Sequence, residues 1–444
     1  MAHKPKLATL ILAAGKGTRM KSRLPKVLHP VCGRPMLAFV LDAAAALKPE
    51  RRLVVIGHGA DPVREQFREG VEFVLQAEQR GTGHAALQCR EALAGFRGDA
   101  LILYGDTPLL RGESLARMRQ HKEQTRADLV LLSAAVDVPG IVLRDASGAV
   151  QRIVDAPDAT PEQLEIEERN TGVYLIDADL LWKLLAQVGD DNAQGEIYLT
   201  DIVELAVRER LSVEALRLEP PEEAIGVNSR SDLAAAAAAM RARILNRLME
   251  GGVTVVDPSS TFVDADVEIG ADTVIEPGCV IHGPTRIGAS VHIKPHCTIE
   301  ASRIGDDVEM GPCAHVRPNC VIGNGSRIGN FVEVKNSVLG EGVKADHLSY
   351  IGDADVGDRA SFGCGSIVVN YDGVAKHRTR VGDRAFIGCN VNLVAPVAIE
   401  PDAFVAAGST ITKDVPHGAL AVARERQRNV EGWVARRRKR GDEA

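Results

Sequence analysis

The string Leu12-Ala13-Ala14-Gly15-Lys16-Gly17-Thr18-Arg19-Met20, followed by Pro25-Lys26, sets two glycines among cationic side chains. Glycines at such a place let backbone N–H groups approach a phosphate, and Arg19 and Lys26 offer positive charge to a triphosphate and its pyrophosphate leaving group. Further along, Tyr104-Gly105-Asp106 closes an apolar run of strand length. A carboxylate at the end of such a strand sits at the ligand edge of an α/β sheet, where a hard cation such as Mg²⁺ bridges it to phosphate oxygens. A structural turn and a helix-capping aspartate are the bland alternatives, and the full string with its trailing Pro-Lys is the more specific signal. In the second half, residues 347–350 and 376–382 interrupt a regular pattern, and irregularity inside a regular coil suggests a functional loop.

The first half must position its loops with alternating strands and helices. Residues 7–12, 52–56 and 100–104 read as strands and 36–47 as a helix, which predicts a parallel sheet covered on both faces. Residues 229–250, rich in alanine and ending at Gly251-Gly252, read as a connecting helix. From Val263 an aliphatic residue recurs every sixth position through Ile269, Ile275, Ile281, Ile287, Ile293 and Ile299. The frame slips by one at Ile304, continues to Val334, and returns at Val381 through Ile411 after a less regular stretch. Small or β-branched residues follow four places later, at Val267, Thr273, Cys279, Thr285, Val291 and Cys297. This period fits a β-helix of three six-residue faces rather than a sandwich. It resembles the left-handed parallel β-helix of hexapeptide-repeat acyltransferases, whose coils stack as trimers with acyl-CoA between subunits. The expected organisation is therefore an α/β, Rossmann-like domain at 1–228, a connecting helix at 229–250, a left-handed β-helix at 251–424 and a basic tail at 425–444.

Of the 444 residues, 45% are hydrophobic and only 4% aromatic, as a narrow aliphatic prism requires. A net charge of −7 argues against a nucleic-acid binder, and the basic run 436–440 reads as a solvated tail. The eight cysteines include no CxxC pair. With no secretory signal and no apolar run long enough to span a membrane, a reducing cytoplasm is expected.

The glycine-rich string resembles the signature of sugar-1-phosphate nucleotidyltransferases. Together with residues 76–83 (QAEQRGTG), Asn170-Thr171-Gly172 and Gly226-Val227-Asn228, it resembles the family of bacterial bifunctional N-acetylglucosamine-1-phosphate uridylyltransferase/glucosamine-1-phosphate acetyltransferases, along nearly the whole chain. By that resemblance Ala13, Gly15, Gln76, Gly81, Thr82 and Tyr104 hold the uracil nucleotide of UTP. Gly140, Asp155, Asn170 and Tyr198 hold the sugar, and Asp106 and Asn228 the Mg²⁺. The chain departs from the family pattern at Pro139-Gly140-Ile141, where Tyr-Gly-Arg is common, at Asp155, usually glutamate, and at Ile197, usually tyrosine. Asp155 reaches one methylene less far, which bears on sugar affinity and selectivity.

In the second half the resemblance makes His347 the general base that takes a proton from the glucosamine amine as it attacks the thioester, a task suited to imidazole. Glu333 orients the histidine or the sugar. Arg317, Lys335, Tyr350 and Lys376 hold the sugar phosphate with Ser361 at a position usually asparagine, and Asn370 lies near the reacting amine. Tyr371, Cys364, Cys389 (usually serine), Ala407 and Arg424 match acetyl-CoA positions. From the repeat alone, Arg317 and Lys335, 18 apart, stack on adjacent coils about 4.8 Å apart. Other pairs at this offset, such as Glu276 over Lys294, are opposite in sign, so two stacked cations imply an intervening anion. The sugar phosphate supplies it. Rival readings are a nucleotidyltransferase whose β-helix serves only assembly or regulation, and a non-catalytic nucleotide-sugar sensor. The constellation His347, Asn370 and Lys376 argues against the first, and tight nucleotide binding without turnover marks the second.

Overall fold

A computed structural model of the chain describes residues 5–57, 60–192 and 194–441, with side chains through Arg438. It divides into two compact units, Met1–Arg243 and Ile244–Ala444. The division falls inside the expected connecting helix, which runs Arg230–Glu250.

In the first unit the apolar runs form Leu7–Ala13, Arg51–Ile56 and Asp99–Tyr104, paired in parallel and almost fully buried. They lie in a nine-stranded sheet. The sheet is mixed rather than parallel. Glu168–Asp177 inserts antiparallel between Asp99–Tyr104 and Leu129–Ala135, with a register shift between Asn170 and Tyr174. Asn170 still pairs with Ser133, and the shift leaves Thr171, Gly172 and Val173 outside that ladder. Gly140–Arg144 and Val150–Asp155 form a hairpin whose ladder pairs Gly140 with Asp155. Strand hydrophobicity on both faces is matched by two buried clusters, one of them built around Tyr174 and Trp182.

The second unit is a left-handed parallel β-helix. Among the described residues its short strands stack into three parallel sheets of ten, nine and eight strands. The expected inward residues are buried from Val263 to Ile411, Ile269 alone being partly exposed, and Cys279, Cys297 and Cys320 fill interior corners as free thiols. The stretch read as less regular keeps the pattern: Leu339, Ala345, Ile351, Val356, Phe362 and Val368 are all buried. Five-residue steps occur at Ile299 to Ile304, Val334 to Leu339 and Ile351 to Val356, each at the corner between the second and third sheets. Residues 347–350 therefore do not break the rhythm, since Ala345 and Ile351 stay six apart. At the corner after the third sheet an Asp or Asn side-chain Oδ1 of one coil accepts a backbone N–H of the coil below: Asp306 from Ala289, Asn324 from Asp306, Asp358 from Glu341 and Asp383 from Asp358, at 2.8–3.0 Å. One true excursion remains, between Ile367–Val369 and Thr379–Val381.

The basic run lies on a helix, Trp433–Gly441, with Arg436, Arg437 and Arg438 exposed. Lys439 and Arg440 side chains and residues 442–444 lie outside the described residues. No described helix is long and apolar enough to cross a membrane.

Candidate functional site

In the first unit the glycine-rich loop folds onto Lys26. Gly17 has φ +61°, and a Cβ there would sit 2.8 Å from that of Lys26, so both conformation and space demand glycine. Ala13 ends its strand, Gly15 and Arg19 are exposed, and Gly105 lies under Ala13. The Lys26 ammonium contacts the Asp106 carboxylate and lies 3.1 Å from Asn228 Oδ1. Asp106 and Asn228 are drawn together by the Val227 N–H on the Asp106 carbonyl at 2.9 Å. Asp232, in the first turn of the long helix, accepts from the N–H groups of Asn228 and Ser229 at 2.9 and 2.8 Å. Two side-chain oxygens thus converge on one cation. A hard divalent ion, which takes a few protein oxygens and completes its shell with water and phosphate, fits this donor set.

Several of the positions expected to hold the nucleotide are tied to one another. Gln76, 3% exposed, donates to the Gly81 carbonyl at 3.1 Å, and Gln79 donates to the Ala14 carbonyl at 2.6 Å, tying this loop to the glycine-rich one. Gly81 has φ +104°, and a Cβ would lie 2.5 Å from the Ile197 carbonyl oxygen. Ile197 accepts from Gly83 N–H and donates to the Arg80 carbonyl, so the departure at 197 leaves the backbone clamp intact. Thr82 Oγ1 accepts from Leu199 N–H at 3.0 Å. Tyr104 packs against Gly172, where a Cβ would fall 1.9 Å from a ring carbon. Burial, above all, drives its phenol far above the ordinary range, against a hydrogen bond with Thr82.

The four positions expected to hold the sugar also lie near one another. A Cβ on Gly140 would touch that of Asn170 at 3.2 Å, and Asn170 donates to the Tyr174 hydroxyl at 2.7 Å. Burial raises the Asp155 carboxyl against a 3.3 Å hydrogen bond from Thr200. The Tyr198 phenol is pushed up to about 12 by burial and by the charges of Asp155, Asp158, Glu196 and Asp201.

In the β-helix one corner, between the first and second sheets, carries a column. Asn330 pairs with His347, and the ladder continues that register through Cys364 and Cys389 to Ala407. Corner hydrogen bonds hold the line, Leu348 N–H to Asn330, Asn390 N–H to Cys364 and Gly408 N–H to Cys389. Arg424 reaches back to donate to the Ala407 carbonyl at 2.8 Å. His347 and Cys389 are exposed and Cys364 is partly so. Ser361 lies on the first sheet, between Lys344 and Phe386, and does not join the second-sheet residues within this chain.

On the second sheet Arg317 follows Val316 and Lys335 follows Val334 in register, as the repeat predicts. The stacked cations are not left facing each other, because Arg317 turns to Glu333 at 2.9 Å. Glu333 is accordingly engaged with the arginine, whereas His347 bonds Asn330. Likewise Glu276 pairs with His292 and Lys294 with Glu309, not with one another. Contact with Lys376 first, then burial and the charges of Lys376 and Arg317, hold the Lys335 ammonium below its ordinary value against the pull of Asp353. Three cations therefore crowd one patch. Tyr350 folds over Gly352, where a Cβ would lie 2.4 Å from its hydroxyl, and that hydroxyl is 3.4 Å from buried Asn370. Tyr371 and Lys376 bridge the excursion, and Asp372 caps it by accepting from Val374 and Ala375 N–H and contacting His377 at 2.7 Å.

Sequence reasoning missed Asn330, Asn336 and Asp353. Asp353, 7% exposed, accepts from Asn336 at 2.5 Å and from Asn370. Its coil offset was the available signal: Asn330 lies 17 before His347 and Asn336 17 before Asp353.

Comparison with known proteins agrees with both halves. Residues 9–169 match the MobA-like NTP transferase domain family and 258–361 the GMPPB C-terminal domain family. The chain is 48% identical over 454 residues to the bifunctional protein GlmU of Thermoanaerobacter pseudethanolicus, covering 98% of this chain and 99% of the relative. It is 49% identical over 447 residues to that of an Exiguobacterium species, covering 96% and 99%. To that of Pelobacter propionicus it is 46% identical over 456 residues, covering 98% and 99%.

Asp353 makes a pH prediction. Burial alone would raise its carboxyl, but hydrogen bonds from Asn336 and Asn370 and the charges of Lys335 and Lys376 outweigh burial and leave it below its ordinary 3.8. A depressed folded value contributes stability that is present above the unfolded value and lost as pH falls through the folded one. Asp353→Asn, which keeps shape and tolerates the positive φ of 50°, should lower the thermal midpoint of the β-helix at pH 7. The gap from the parent should close below about pH 3.8, as followed by calorimetry across pH; a gap that stays constant would refute the assignment.

Proposed function

The chain belongs to the bifunctional GlmU family, and we propose that its two units divide the labour as two separate catalytic centres. The protein is a sugar-phosphate uridylyltransferase and amino-sugar acetyltransferase. It acetylates glucosamine 1-phosphate with acetyl-CoA and transfers UMP from UTP to N-acetylglucosamine 1-phosphate, giving UDP-N-acetylglucosamine and pyrophosphate. The observation that carries the reading is one charge-bearing constellation in each unit: Lys26, Asp106 and Asn228 in the first, and His347 on its column beside the cation patch in the second.

In the first centre Gln76, Gly81 and Thr82 receive the uracil nucleotide, with Ala13, Gly15 and Tyr104 around it. Gly140, Asp155, Asn170 and Tyr198 seat the sugar. Asp106 and Asn228 would hold a divalent ion, read here as Mg²⁺, which supplies charge neutralisation on the phosphates. Lys26, freed from those two oxygens, and Arg19 neutralise the remaining phosphate charge. The phosphate oxygen of N-acetylglucosamine 1-phosphate attacks the α-phosphorus in line, the new P–O bond forming as the bond to pyrophosphate breaks. Positioning and electrostatics account for the catalysis.

In the second centre Arg317, Lys335 and Lys376 receive the sugar phosphate, with Tyr350 and Asn370 towards the amine. Acetyl-CoA lies along the corner column past Cys364, Cys389 and Ala407 towards Arg424, with Tyr371 beside it. His347 takes the amine proton as nitrogen attacks the thioester carbonyl. The C–S bond then breaks, and the proton passes to the departing thiolate. Glu333 holds Arg317 in place, and Ser361 belongs to the sugar site only if a second copy supplies it. A homotrimer with acetyl-CoA between copies, acting in the cytoplasm on small molecules, completes the proposal.

His347→Ala should lose about two to four decades of acetyl transfer with pyrophosphate release intact, and Asp106→Asn should do the reverse; parallel loss of both activities in either variant would reject separate centres. Lys335→Ala should raise the KM for glucosamine 1-phosphate and leave that for acetyl-CoA unchanged, whereas equal use of unphosphorylated glucosamine by the parent would exclude a phosphate clamp. Light scattering of the active protein should return three chain masses, and an acetylating monomer would rule the trimer out.

A further inference from the structure

The imidazole of His347 is exposed, and an exposed ring needs something to choose its tautomer and its direction. Its Nδ1 lies 2.6 Å from Asn330 Oδ1, on the coil below. With Nδ1–H donating to that carbonyl oxygen, the lone pair is left on Nε2, the atom turned away from the asparagine.

The backbone is built to make this contact. Most strands of the first sheet are two residues long, but Arg327–Asn330 and Lys344–His347 each have four, so the ladder extends to the corner and pairs Asn330 with His347 directly. Close approach depends on Gly329, where a Cβ would fall 1.8 Å from the Asp346 carbonyl oxygen. Both chains then turn through a left-handed residue, Phe331 at φ 56° and Leu348 at φ 45°, with Leu348 N–H bonded to the Asn330 carbonyl at 2.9 Å. Bulky residues pay for this conformation in strain and keep it only where the surroundings impose it. The neighbouring charges are otherwise occupied: Asp346 faces Arg327 at 3.5 Å, and Glu333 faces Arg317 at 2.9 Å.

We propose that Asn330 is the positioning residue of the acetyl-transfer centre, fixing His347 in the tautomer whose Nε2 accepts the amine proton. The inference rests on His347 being the base. A neutral amide does this without holding the proton itself: Nε2 takes it as the C–N bond forms and returns it to the thiolate as the C–S bond breaks, while the Nδ1–H stays on the asparagine oxygen throughout.

The test compares Asn330→Ala with Asn330→Asp in full-length protein. Asn330→Ala should lower the kcat of acetyl transfer by roughly 10–100-fold, the usual effect of removing a partner that orients a histidine, with both KM values and uridylyl transfer unchanged. Asn330→Asp can only accept, so it should recover most of the activity. Its carboxylate favours the imidazolium, so the acid limb of its pH–rate profile should move to higher pH. Nitrogen-15 spectra of the parent should show Nε2 as the unprotonated ring nitrogen of His347, a reading that stands even if a variant fails to fold. An unchanged kcat in Asn330→Ala, an aspartate variant as poor as the alanine one, or a parent ring protonated at Nε2 would each overturn the proposal. Full acetyl transfer by His347→Ala would instead remove the base reading beneath it, so the two failures are distinguishable.

Discussion

The fixed spacing of a parallel ladder governs the second half of this protein. Each coil lies about 4.8 Å above the last, and the narrow interior admits one aliphatic side chain per face, so residues one coil apart in sequence are neighbours in space whatever their chemistry. Favourable stacks follow, such as the Asx ladder at the third corner. So do unfavourable ones, such as Arg317 beneath Lys335. The chain relieves that pair by turning Arg317 to Glu333, and adds a third cation, Lys376, from outside the coil. A surface that gathers like charges against their mutual repulsion is poised for an anion, and the depressed Lys335 ammonium is the physical sign of it.

The first unit meets the same demand by other means. Its ligand edge is built from loops that leave parallel strands, and the loops are held to one another by backbone contacts that only glycine permits: Gly81 against Ile197 and Gly172 under the Tyr104 ring. Lys26 closes the arrangement by lying between Asp106 and Asn228. The Lys26 ammonium and the Asp106 carboxylate balance each other's charge, so neither stands alone in a partly buried place.

Much of this was legible in the residues. A six-residue period fits three flat faces, and the full glycine-rich string with its trailing Pro-Lys points to phosphate. The two slips beyond Ile304 were not legible, because Ala345 and Phe362 are weaker markers than isoleucine and the five-residue steps at Leu339 and Val356 look like loss of pattern. With the register hidden, so were its consequences, the pairing of Asn330 with His347 and of Asn336 with Asp353. Lys26 could be assigned to phosphate by its type, but its meeting with Asp106 and Asn228, 80 and 202 residues away, is a property of the sheet order and not of any local string. The antiparallel direction of Glu168–Asp177 was hidden for a similar reason: its buried apolar part, Val173 to Ile176, has the same composition whichever way the strand runs.

The excursion between Val369 and Thr379 leaves the coil and returns to it without disturbing the stacking above or below, since Ile367 still pairs with Asn392 and Thr379 with Val397. In a globular core an insertion of that size must be absorbed by neighbours on every side. Here it meets only the entropy of closing a loop, which grows slowly with length, about 0.6 kcal/mol for each doubling. A coiled prism can therefore acquire or exchange the side chains of a binding site one corner at a time, while the aliphatic residues that fill its interior keep the stacking of the coils.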